Sequence, residues 1–135
     1  MNNTDEILAD VLDEFSNLAK IPRKSGHEKA VSDYLKKRLE GMGLSVVQDD
    51  VNNIIADMPA SPGYESAPRT ILQCHMDMVC VAEEGVSYDP LTDPIRLHRT
   101  DEILEAEGTS LGSDDGSGIA IIIHTLKSIK RHGPL

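Results

Sequence analysis

Residues 70–79, TILQCHMDMV, are the most hydrophobic stretch of the chain, and they carry a histidine and an aspartate two positions apart. The near-continuous apolar run predicts a β-strand buried on both faces. A strand repeats every two residues, so His75 and Asp77 point to the same side. Burying both is costly unless each has a partner. Either they satisfy each other and nearby backbone, or they hold something such as a metal ion. Met76 and Met78 alternate with them and are expected to face a core, and Cys74 falls on the face opposite His75.

The flanking sequence predicts the layers around this strand. In residues 4–22, TDEILADVLDEFSNLAKIP, the residues Ile7, Leu8, Val11, Leu12, Phe15, Leu18 and Ala19 recur with a helical period, and Pro22 stops the helix. Asn2-Asn3-Thr4 matches a glycosylation sequon, but Asn3 or Thr4 is read more simply as a helix cap. A second helix is predicted over residues 25–43. It opens on a Ser25-x-x-Glu28 capping box, carries the stripe Ala30, Val31, Tyr34, Leu35 and Leu39, and ends at Gly41 and Gly43. Residues 44–58 read as two strands about a polar turn at Asp49 to Asn53. Residues 60–68, ASPGYESAP, are a loop. A long loop at 80–94 precedes a hairpin, IRLH then EILEAEG, turning at Arg99 to Asp101. A last helix is predicted from Ile119, Ile122, Ile123, Leu126 and Ile129, with Lys127, Lys130, Arg131 and His132 in its final turns, where positive charge suits the dipole. Helices covering a sheet make this an α/β layered domain.

Composition narrows the partners. The 135 residues carry a net charge of −10, with 39% hydrophobic and 27% charged residues. Such a balance disfavours nucleic acid and anionic membrane surfaces. Aromatic residues are only 3%, so the core must be aliphatic. The apolar runs are too short for a transmembrane helix, and the N-terminus shows no signal-peptide pattern, so a cytoplasmic location is expected. Cys74 and Cys80 make no disulfide framework and read as buried free thiols.

The second chemical segment is GTSLGSDDGSG, residues 108–118, where Asp114 and Asp115 sit between glycines just ahead of the last helix. Aspartate at a helix start accepts backbone N–H groups and complements the dipole, worth roughly 0.5–2 kcal/mol. The pattern leaves capping and metal ligation equally open. A calcium loop fits poorly, because SDDGSG lacks alternating oxygen ligands and a distal glutamate. Among the other histidines, His27 reads as a surface or capping residue, His98 as a hairpin residue, His124 as part of a polar helix face and His132 as a cation at a helix end.

Taken together, HMDMV on a strand and GTSLGSDDGSGIA before a helix resemble the two-zinc aminoacylase/carboxypeptidase-type metallopeptidases, and within them the aminoacyl-histidine (Xaa-His, cytosolic non-specific) dipeptidases. IPRKSGHEKAVSDYL, SVVQDDVNNIIADMPA, SYDPLTDPI and the closing HGPL agree, so the resemblance runs almost the full length of the chain. It implies the N-terminal portion, residues 1–135, of a three-layer α/β/α catalytic domain, without a lid or dimerisation domain. It implies His75 and Asp114 as metal ligands, Asp114 bridging two ions. Asp77 would be the catalytic carboxylate that orients His75, and Asp115 would serve geometry across a cis Asp114–Asp115 bond. Zn2+ is the implied ion, with Mn2+ or Co2+ also suited to such ligands. Dipeptides are the implied substrate, and the full-length family member is a candidate homodimer. The family's Glu-Glu pair, a general base and a ligand, falls beyond the position of Leu135. Glu83-Glu84 lies in the wrong place and reads as a solvated turn. The chain alone is therefore expected to be inactive, and the alternative is a non-catalytic remnant with at most weak metal binding.

Overall fold

The computed structural model describes residues 3–135. Helix α1 spans Asn3–Ala19 and α2 spans Lys29–Glu40. Strands β1 (Ser45–Gln48) and β2 (Ile54–Asp57) form one antiparallel hairpin, and β3 (Leu97–Arg99) and β4 (Leu104–Ala106) form another. Helix α3 spans Ser113–Ser128. The element order is the expected one for every helix and both hairpins. Asn3 and Thr4 lie inside α1 and do not precede it; Asn2 of the sequon is outside the described residues.

One apolar cluster joins the three helices: Leu18 of α1, Val31 and Leu35 of α2, and Ile119 and Ile123 of α3. Cys74 and Met76 pack against it, so the even-numbered residues of the central stretch face the helices, as expected. A second cluster of Ala19, Met78 and Ile95, with Cys80 and Leu97 beside it, ties the β3–β4 hairpin to the end of α1. The β1–β2 turn is closed by Asp49, whose carboxylate accepts the N–H groups of Val51 and Asn53.

Three expectations are corrected. The stretch 70–79 is extended, but among the described residues its only bridge is the parallel one between Lys24 and Met78. Nor is it buried on both faces, because Ile71 is 81% exposed and Val79 is 74% exposed. Its apolar continuity suits neighbours on both sides, whereas the helices cover one side only.

The capping box is not formed. Helix α2 begins at Lys29 with Glu28 at the N-cap and no side-chain cap bond, while the Ser25 hydroxyl donates to Asp77.

Helix α3 ends at Ser128, so Lys130, Arg131 and His132 lie beyond it. Ile129 is already extended, which stops the helix before those cations reach its last turn.

His124 lies on the polar face of α3, and that face packs against α1. Its Nδ1 lies 2.6 Å from Asp10 Oδ2 on α1. Lys127 donates to Asp10 and to Glu14, and Arg38 of α2 donates to Glu14 at 2.6 Å. Glu14 is only 7% exposed, and these two cations offset the cost of burying its carboxylate.

Candidate metal centre

The loop at residues 20–28 between α1 and α2, the extended stretch and the start of α3 meet at one point. The link is Arg23, which is buried and, among the described residues, hydrogen-bonds to backbone carbonyls and not to a carboxylate. It donates to the carbonyl of Met76 at 3.0 Å and to that of Gly112 at 2.6 Å. One guanidinium thus fastens the segment bearing His75 to the loop bearing Asp114. Gly112 is required at that point. Its φ is +74°, and a Cβ there would lie 2.5 Å from Arg23 Nη2 and 2.6 Å from Met78 Sδ.

The side chains then form a continuous line. Ser25 Oγ donates to Asp77 Oδ2 at 2.5 Å. Asp77 Oδ1 and the Asp77 carbonyl oxygen each lie 3.1 Å from His75 Nδ1. His75 Nε2 lies 2.9 Å from Asp114 Oδ1. The Asp77 contacts favour a proton on Nδ1, which leaves Nε2 for whatever sits beside Asp114. The hydrogen bond to Asp114, helped by the one to Asp77, raises the His75 pKa. The Ser25 hydroxyl, followed by His75, holds the Asp77 carboxyl below its usual range.

Asp114 and Asp115 divide their work. The peptide bond between them is cis, and both have non-helical backbone angles. Asp114 projects into solvent, its side chain 95% exposed. Asp115 Oδ1 instead accepts the N–H of Gly118 at 3.1 Å, a capping role at the start of the regular helix. His75, Asp77 and Asp114 border an open cleft of about 300 Å³ that also takes in Ser110 and Gly112.

An imidazole nitrogen and a carboxylate oxygen 2.9 Å apart suit a divalent cation, whose bonds to such donors are about 2.0–2.2 Å. The donor set is incomplete, because catalytic zinc takes about three protein ligands plus water. Among the described residues no group of three or more His, Cys, Asp or Glu side chains is arranged to hold a metal ion. Cys74 is turned to the core, where burial pushes its thiol up to about 11, well away from the thiolate a metal needs. Glu83 and Glu84 are exposed in a turn and do not approach the cleft. Sequence reading missed Arg23 and Ser25 as organisers of this site. A lone arginine after Ile21-Pro22 carries no signal of its two carbonyl partners, and Ser25 resembled a helix cap.

No protein-family model matches the chain. It is 35% identical over 124 residues to the cytosol non-specific dipeptidase of Escherichia coli, covering 91% of this chain and 26% of that protein. The crystal structure of aminoacylhistidine dipeptidase from Vibrio alginolyticus superposes with a TM-score of 0.86 at 35% identity, over 93% of this chain and 26% of that one. A tripeptidase from Staphylococcus aureus superposes with a TM-score of 0.76 at 25% identity, over 93% of this chain and 34% of its own. The chain spans about a quarter to a third of the length of these relatives.

Proposed function

We propose that this chain, homologous to a cytosol non-specific dipeptidase and to an aminoacylhistidine dipeptidase, is the N-terminal part of a metal-dependent dipeptidase domain and supplies one wall of its hydrolytic site. The observation that carries this reading is the line Ser25–Asp77–His75–Asp114, which orients an imidazole toward an exposed carboxylate at 2.9 Å.

In this reading His75 ligates through Nε2 and Asp114 through its carboxylate. Asp77 fixes the His75 tautomer and ring plane, and Ser25 fixes Asp77. Asp115 keeps the loop in register by capping α3. Arg23 and Gly112 hold the two ligand-bearing segments together. Bound divalent metal supplies Lewis acidity, which acidifies water near neutral pH and polarises a peptide carbonyl. Zn2+ suits these donors best, with Mn2+ or Co2+ as alternatives. The substrate is a dipeptide of the Xaa-His type.

His75 and Asp114 are too few ligands for a closed catalytic ion, and among the described residues no further carboxylate of the cleft is placed as a proton carrier. The 135-residue chain alone is therefore inactive or nearly so, and it behaves as a partial site with weak metal affinity. The test is an assay of the purified chain with Zn2+ or Mn2+ against a Xaa-His dipeptide. The expected result is no turnover above a metal blank. Robust turnover that disappears in His75→Ala contradicts inactivity of the isolated chain.

A further inference from the structure

The chain turns into the Asp114 loop at Ser110. Residues 81–83 and 108–110 run antiparallel, bridged at Ala82 and Thr109. Glu83 donates to the Gly108 carbonyl at 2.9 Å, and Ser110 donates to the Val81 carbonyl at 3.0 Å. In a regular ladder such a pair exchanges both bonds, so the Val81 N–H would donate back to the Ser110 carbonyl. It donates instead to Ser110 Oγ at 3.1 Å. The Ser110 carbonyl is turned aside and accepts the Thr109 hydroxyl at 3.3 Å. A serine hydroxyl can replace a backbone partner in this way. The main chain therefore leaves the ladder at Ser110 with the Val81 N–H still paired, and runs through Leu111 and Gly112 to Asp114.

The same hydroxyl has a second use, because it donates to the Val79 carbonyl at 2.8 Å. One atom thus accepts from Val81 and donates to Val79, the residues that follow Asp77 on the central stretch. Its proton and one lone pair are committed to main chain. Arg23 fastens the same two segments from the core, through the Met76 and Gly112 carbonyls. Ser110 fastens them at the cleft, which it lines together with Val79, His75, Asp77 and Asp114.

We infer that Ser110 is a positioning residue: its hydroxyl holds the start of the Asp114 loop against the stretch that carries His75 and Asp77. The role rests on the reading of the cleft as a metal centre, although the fastening itself needs no ion. Arg23 alone holds the loop at one point, Gly112, about which the loop can pivot. A second point at Ser110 fixes direction as well as place. The direction is passed on at the start of α3, where the Gly116 N–H donates to the Gly112 carbonyl at 3.1 Å. Asp114 lies within that turn.

The test compares Ser110→Ala and Ser110→Thr with the parent chain, by amide hydrogen exchange and by chelator competition for Zn2+. In Ser110→Ala the amides of both Val81 and Gly116 are expected to exchange at least tenfold faster, while amides in the middle of α2 keep their rates. Zn2+ affinity is expected to fall about tenfold. Ser110→Thr, which keeps the hydroxyl, restores both. Faster exchange confined to Val81, or shared equally by α2, overturns the proposal, since the hydroxyl then acts only locally or only on overall stability. Unchanged Zn2+ affinity in Ser110→Ala overturns it too. A parent chain that binds no Zn2+ contradicts the metal-centre reading instead, and Gly116 exchange still decides whether Ser110 holds the loop.

Discussion

The hydroxyl of Ser25 donates to Asp77 Oδ2 at 2.5 Å, while the other oxygen of that carboxylate faces His75 Nδ1 at 3.1 Å. A serine from the loop between the first two helices therefore sets the orientation of a histidine on the central stretch. Outer partners of this kind tune metal affinity by about 10–100-fold. Ser25→Ala is expected to weaken Zn2+ binding about tenfold in a chelator competition titration, with Ser25→Thr close to the parent. Unchanged affinity in Ser25→Ala removes Ser25 from the site.

Gly112 packs against Arg23 and Met78 with φ at +74°. A Cβ there meets both the guanidinium and the thioether and also requires a backbone angle that alanine resists. Gly112→Ala should cost about 2–4 kcal/mol in a urea unfolding titration. Arg23→Met, which keeps length but loses both carbonyl bonds, should also destabilise, because the Gly112 and Met76 carbonyls lose their donor.

Acid stability rests on the α1–α3 ion network. Hydrogen bonds from Lys127 and His124 lower the Asp10 pKa below 3.8. Burial pulls Glu14 upward, but hydrogen bonds from Arg38 and Lys127 outweigh it and leave Glu14 below 4.5. Depressed carboxylate values mean that this stabilisation is present above the unfolded values of 3.8 and 4.5 and is lost as pH falls through the folded ones. Glu14→Gln should lower stability by about 1–3 kcal/mol at pH 7 and flatten the decline below about pH 4.5, read as Tm against pH. A Glu14→Gln curve parallel to the parent's contradicts this assignment.

The two hairpins were legible because each alternates over a few residues about a polar turn, and local chemistry such as Asp49 capping its own turn is enough to form them. The helices were legible from their stripes. The central stretch was misread for a physical reason. Its apolar residues are written for neighbours on both edges and both faces, and burial needs those neighbours to be present. The site was half legible: His75, Asp77 and Asp114 do converge, as their spacing and the resemblance suggested. Ser25, Arg23 and Glu14 were not legible. Each acts across 24 or more positions of sequence, on a partner that no local pattern names.

The pairing of His75 with Asp114 as ligands is tested most directly by calorimetric titration of Zn2+ into the chain, beside His75→Ala and Asp114→Asn. Weak binding to the parent chain and none to either variant is the predicted result. Binding of equal strength in all three proteins places the ion elsewhere and contradicts the assignment.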